Sequence, residues 1–164
     1  MKNLITRRTM IAASAAGAAT LLMPNVSLAK GKQHIVEMLT KDPSDPPQKK
    51  RNFFSPRLLV VDAGDSVLFK ATHPGHDSAS LDGMLPAGAA SWKGKFNKDV
   101  EVKMDVPGFY GYVCTPHAVL GMVGLVIVRG EGMMDNYEEA KGKKQRGKAK
   151  KVWKEIWEEA DALI

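Results

Sequence analysis

The stretch Cys114-Thr115-Pro116-His117-Ala118-Val119-Leu120-Gly121-Met122 holds the only cysteine of the chain, one of its four histidines and a methionine. Thiolate, imidazole and thioether in one short loop form a soft donor set. Three strong ligands with a weak axial thioether suit copper, so the loop calls for a second imidazole from an element packed beside it. The candidates are His34, His73 and His76. Spacing alone does not choose among them, although Gly75 lets the backbone approach closely at His76.

Outward from the loop, the chain reads as short strands. Residues 109–114 alternate, with Phe109, Gly111 and Val113 on one face and Tyr110, Tyr112 and Cys114 on the other. Pro107-Gly108 is the turn that precedes them. Residues 123–128 are an unbroken apolar run, the pattern of a strand covered on both sides. Residues 99–105 alternate, with Val100, Val102 and Met104 on one face. Further strands are predicted at 33–39, 57–61 and 66–71. Residues 41–50 carry three prolines and read as a loop, and 72–98 is irregular. Several short strands punctuated by turns predict an antiparallel sandwich. After Gly130 the pattern changes to a short helix at 133–141 and an amphipathic helix at 145–163, with its stripe on Ala149, Val152, Trp153, Ile156, Trp157, Ala160 and Leu163. The stripe predicts docking on the sandwich. The lysine run 141–154 reads as a solvated face, with Lys151 placed to pair with Glu155.

Lys2, Arg7 and Arg8 precede a nearly uncharged segment at 10–23, and Ser27-Leu28-Ala29 offers the small residues of a cleavage site. Residues 1–29 read as a secretory signal peptide, too short in its apolar run to span a membrane comfortably. Thr6-Arg7-Arg8-Thr9-Met10-Ile11 also resembles a twin-arginine signal, so the export route stays open. Cleavage removes three positive charges and no negative ones, taking the net charge from +6 to +3 and leaving 135 residues for one domain. That balance is too small to argue for nucleic acid. A single cysteine in an exported chain cannot form an internal disulfide, and a metal bond removes the liability of a free thiol.

The Cys-x2-His-x4-Met loop, Gly75-His76 placed 38 residues upstream of Cys114, the segments Met84-Leu85-Pro86-Ala87-Gly88 and Pro107-Gly108-Phe109-Tyr110, and the two-helix tail together resemble the blue copper proteins, the cupredoxins, and within them the pseudoazurins. Plastocyanins share the loop but not the tail. The resemblance covers nearly all of residues 33–164. It implies an all-β, eight-stranded Greek-key sandwich over residues 30–130 with a two-helix extension at 131–164. It implies one copper held by His76, Cys114 and His117 with Met122 as the long axial ligand. It implies a periplasmic, monomeric one-electron carrier serving redox proteins such as copper nitrite reductase and c-type cytochromes.

In that family the imidazole equivalent to His117 is the electron port, reached through an apolar patch for which Met84, Pro86, Pro116 and Ala118 are the candidates here. Lys41 and Lys93 match a basic ring around it. Two other ring positions carry Pro74 and Val113 instead of lysine, and Asp77 stands where the family usually has asparagine beside the first histidine. A carboxylate only accepts hydrogen bonds, whereas an amide also donates.

Other chemistries fit less well. A Cys/His hydrolase would lack a third, orienting residue and would leave Met122 without a role. A multicopper oxidase needs more than four histidines, and c-type haem attachment needs two cysteines. A plastocyanin-like carrier with other partners, and a periplasmic copper carrier or store, are the alternatives; the nine methionines are scattered, not clustered.

Overall fold

The computed structural model describes residues 31–42, 44 and 51–164. The proposed signal peptide and most of the proline-rich loop lie outside the described residues. Eight strands are formed there: β1 (Gln33–Lys41), β2 (Arg51–Ser55), β3 (Leu58–Asp62), β4 (Asp65–Lys70), β5 (Ala79–Ser80), β6 (Val100–Met104), β7 (Gly108–Val113) and β8 (Val123–Arg129). One sheet has the order β2-β1-β4-β6, the other β3-β8-β7-β5. The chain is a cupredoxin-like β-sandwich with two C-terminal helices, α1 (Tyr137–Gly142) and α2 (Ala149–Asp161).

The alternation predicted for β7 is what builds the layers. Tyr110, Tyr112 and Cys114 face the inter-sheet core with Phe54, Val67, Phe69, Val102 and Met104. The Tyr112 ring meets the Phe54 and Phe69 rings edge-on, both at 4.8 Å between centroids. Phe109 faces the other way, into a second core with Leu125, Ile127, Trp153, Ile156 and Trp157. The apolar run of β8 is therefore buried on both faces, Val126 and Val128 inward and Leu125 and Ile127 toward α2. Gly124 is required there: a Cβ would lie 2.3 Å from the Tyr112 ring.

Three expectations change. The sheets are mixed, because β1 pairs with β4 and β3 with β8 in parallel. Those strands are joined by long connections that cross between sheets, so turn chemistry does not set their direction. Strand β2 was not anticipated; its two consecutive phenylalanines, both buried, break the two-residue period. Both helices are shorter than predicted. Gly147 takes φ +59° and ends the linker ahead of α2, and Leu163 is exposed rather than part of the stripe. Lys151 does approach Glu155, at 4.0 Å, but Arg57, in the bend between β2 and β3, reaches the same carboxylate at 3.1 Å and also pairs with Glu159, tying α2 to the start of β3.

His34 is a structural residue. Its Nε2 lies 2.8 Å from Oδ2 of buried Asp65, which also accepts the backbone N–H groups of Lys32 at 2.7 Å and Asp62 at 3.2 Å. The His34 contact, followed by those backbone donors, holds the Asp65 carboxyl below its ordinary value. A depressed native value means stability that is present above the unfolded-state value, ~3.9, and lost as pH falls through the native one. Replacing Asp65 by Asn is expected to flatten the acid limb of a plot of urea midpoint against pH. An acid limb as steep as that of the parent chain would contradict this assignment.

Candidate metal centre

Three elements converge at one end of the sandwich. Cys114 follows β7, and His117 sits in the 3-10 turn Thr115–Leu120 that begins immediately after it, with Pro116 preset for the first turn. His76 comes from the connection between β4 and β5. Its Nδ1 lies 3.7 Å from Cys114 Sγ, and His117 Nδ1 lies 3.5 Å from the same sulfur. All three donor atoms fall within 4.8 Å of one another. Nitrogen and sulfur donors sharing one metal through bonds of ~2.0–2.3 Å stand about 3.5–3.7 Å apart. The spacing therefore fits a bound ion, and it is too long for a strong hydrogen bond.

Protonation and polar contacts prepare these groups. His76 and Cys114 are fully buried. Burial, followed by the neighbouring His117 and His73, holds His76 below its ordinary pKa, which keeps a lone pair available. Burial pushes the Cys114 thiol up to about 11, against the backbone N–H groups of Asp77 and His117 that favour the thiolate. Losing that proton is the expected accompaniment of metal binding. The donor set of two imidazoles and one thiolate fits copper in both of its common charges, so the residues present fit the group.

The rest of the frame holds the ligand segments in register. Asp77 Oδ1 accepts the Thr115 N–H at 2.6 Å, joining the His76 segment to the Cys114–His117 turn with a carboxylate in the role of acceptor only. Cys114 N–H donates to the Met122 carbonyl at 3.0 Å and Met122 N–H to the His117 carbonyl at 3.1 Å. Met122 is fully buried in the same cluster as Cys114. Gly121 closes the turn at φ +97°.

Thr40 was missed by the sequence reading. His76 Nε2 lies 3.0 Å from Thr40 Oγ1, so that with Nδ1 given to a metal the ring would carry its proton on Nε2 and donate it to the hydroxyl. The hydroxyl in turn donates to the Pro74 carbonyl at 3.4 Å. Thr40 N–H donates to His73 Nδ1 at 3.0 Å, so His73 braces the end of β1 rather than joining the ligand group. A threonine at the end of a strand carries no motif; the signal was only that a ligand histidine needs an acceptor for its far nitrogen.

The expected patch around His117 is corrected in two members. Pro116 is exposed and Ala118 half-buried, but Met84 and Pro86 are buried. Met84 lies in the second core, where Gln145 Nε2 donates to its sulfur at 3.5 Å, and Pro86 packs over Gly108. The helical extension covers what the strand pattern alone left bare. Val119 and Leu120 take their place at the surface, 58% and 51% exposed. Lys41 and Lys93 are exposed, as expected.

The family of copper binding proteins described as plastocyanin/azurin matches residues 47–129. A pseudoazurin of Paracoccus pantotrophus is 34% identical over 140 residues, 85% of this chain and 89% of the relative. A pseudoazurin of Methylorubrum extorquens is 41% identical over 88 residues; the match spans 54% of this chain and only 58% of that relative's length. The solved structure of a pseudoazurin from Sinorhizobium meliloti superposes with a TM-score of 0.70 at 36% identity, covering 79% of this chain and 96% of that one. Matched loop, matched fold and converging imidazole and thiol donors agree, and the chain belongs to the plastocyanin/azurin family of copper-binding proteins and within it to the pseudoazurins, electron-carrying cupredoxins rather than enzymes.

Proposed function

We propose that this protein is a periplasmic, monomeric carrier of single electrons, exported through residues 1–29, in which His76, Cys114 and His117 would hold one copper with Met122 as a weak fourth donor. The observation that carries this reading is the approach of two imidazole nitrogens, from separate parts of the chain, to one buried sulfur at 3.7 and 3.5 Å. The chemistry copper supplies when bound is a one-electron Cu(II)/Cu(I) couple. The protein residues do the rest. Two sheets fix the separation of His76 from the Cys114–His117 turn, so little needs to move when the charge of the site changes. Burial of His76 and Cys114 excludes water. His117 is the one member of the three that is only half-buried, which makes it the port. Pro116, Ala118, Val119 and Leu120 offer the apolar rim against which a partner packs.

The partners proposed are redox proteins such as copper nitrite reductase and c-type cytochromes, met across that rim with Lys41 and Lys93 at its edge. Adding Cu(II) to the metal-free chain tests the reading. One equivalent is expected to give an intense blue absorption and a narrow copper hyperfine splitting in the EPR spectrum, and Cys114→Ser is expected to abolish the blue band. Copper bound with only weak visible absorption would overturn the carrier reading in favour of a store.

A further inference from the structure

The segment 141–154 holds eight lysines and arginines and no aspartate or glutamate. Its position in the fold gives it a use beyond keeping a helix soluble. The linker between α1 and α2 is fastened to the 3-10 turn that carries His117. Lys148 N–H donates to the Val119 carbonyl at 3.0 Å, and a Cβ on Gly147 would lie 2.6 Å from that same oxygen. The linker therefore passes directly beside the port, two residues beyond His117. A shallow hollow runs from Ala118 and Val119 to Lys144, Gln145 and Arg146, and a second continues from Lys144 and Gln145 along Lys150 and Lys154. Lys141 is engaged with Asp161, and Lys151 and Lys154 face Glu155 and Glu158. Among the described residues, Lys143, Lys144, Arg146, Lys148 and Lys150 have no carboxylate within ion-pair distance, and all five are exposed.

We propose that the linker 143–148 and the first turn of α2 form a docking strip for an acidic segment of a redox partner protein, which lies along the strip and over Ala118 and Val119 with its redox group facing His117. This rests on the carrier reading above. The strip stands in for the two ring positions occupied by Pro74 and Val113, and moves the steering charge to one side of the port. Charge arranged this way sets encounter rate and orientation more than final affinity. The chemistry favours a protein over a lipid surface or a nucleic acid. Both indoles near the strip, Trp153 and Trp157, are buried, 2% and 7% exposed, so neither is free to stack on bases or enter a lipid interface.

The test uses the full isotope-labelled chain, metal-free and copper-loaded, titrated at low ionic strength with octaglutamate while backbone amide shifts are followed by NMR. Shifts are expected at 143–151 and at Ala118 and Val119 in both forms, and they are expected to vanish at high salt. The variant K143E/K144E/R146E is expected to weaken binding about tenfold or more with its blue spectrum unchanged, and K143Q/K144Q/R146Q is expected to fall between. Shifts centred on Lys41 and Lys93, or an unaltered response in the triple variant, would overturn the strip. So would sedimentation with vesicles of equal phosphatidylcholine and phosphatidylglycerol that the triple variant loses, since that would assign the charge to a membrane. Binding of the acidic probe by a chain that gives no blue copper would separate failure of the carrier reading from failure of the strip.

Discussion

Trp153→Ala is expected to lower the unfolding free energy by about 3–5 kcal/mol. Trp153 is 2% exposed and lies in the second core, between α2 and the outer face of β8 with Leu125 and Ile127. Its ring stacks on Trp157 at 6.3 Å, and Trp157 in turn lies 5.7 Å from Phe109. Among the described residues its indole nitrogen has no hydrogen-bond partner, so the truncation removes packing without stranding a polar group elsewhere. The other apolar residues of α2, among them Ile156 and Ala160, stay in place. Its ion pairs to the rest of the fold are Lys141 with Asp161, at the surface, and Arg57 with Glu155 and Glu159, which are partly exposed and contribute no more than about 1 kcal/mol each. They cannot offset the cavity. Urea denaturation of the metal-free chain followed by circular dichroism measures the effect. A loss below about 1 kcal/mol would mean the helix is an ornament on a self-sufficient sandwich. The copper spectrum of the folded variant is expected to match the parent, because the ligands face the other core.

Thr40→Val is expected to weaken copper binding about 10–100-fold with little change in the stability of the metal-free chain. The substitution keeps the shape of the side chain and removes the hydroxyl that, among the described residues, stands within hydrogen-bond distance of His76 Nε2. A partly buried donor left without an acceptor costs about 1–3 kcal/mol, which is the same range expressed as an affinity. The loss falls on the bound state, because only there is the ring held with Nδ1 committed to the metal. Thr40→Ser, which restores the acceptor, is expected to recover most of the affinity. Competition against a chelator of known strength, for Cu(II) and for Zn(II), provides the measurement. Equal affinities for parent and Val variant would show that the imidazole is oriented by packing alone.

Most of the architecture was legible in the residues because strand periodicity reports burial directly. The alternation of Tyr110, Tyr112 and Cys114 against Phe109 and Val113, and the unbroken run of β8, predicted a strand covered on both sides, and β8 is buried between two apolar clusters. Of the three residues that converge, Cys114 and His117 are legible in the chemistry of their own loop, whereas His76 is singled out by the resemblance, since spacing alone leaves His34 and His73 open. What the pattern could not show were features made by distant contacts. The parallel pairings of β1 with β4 and β3 with β8, the burial of Met84 under the extension and of Pro86 against Gly108, and the anchoring of the linker on Val119 all join residues far apart in the chain.

By itself, then, the order of amino acids determined the donor set, the alternation that makes a sandwich and the amphipathic stripe that docks a helix on it. Those are local properties of side-chain chemistry and of the two- and 3.6-residue periods. The tertiary structure alone decided which of three histidines faces the sulfur, which threonine stands beside it, and that the lysine-rich linker is fastened to the turn that carries His117. Each of those depends on loop closure across tens of residues, where many placements satisfy the same periodicity and only packing selects among them.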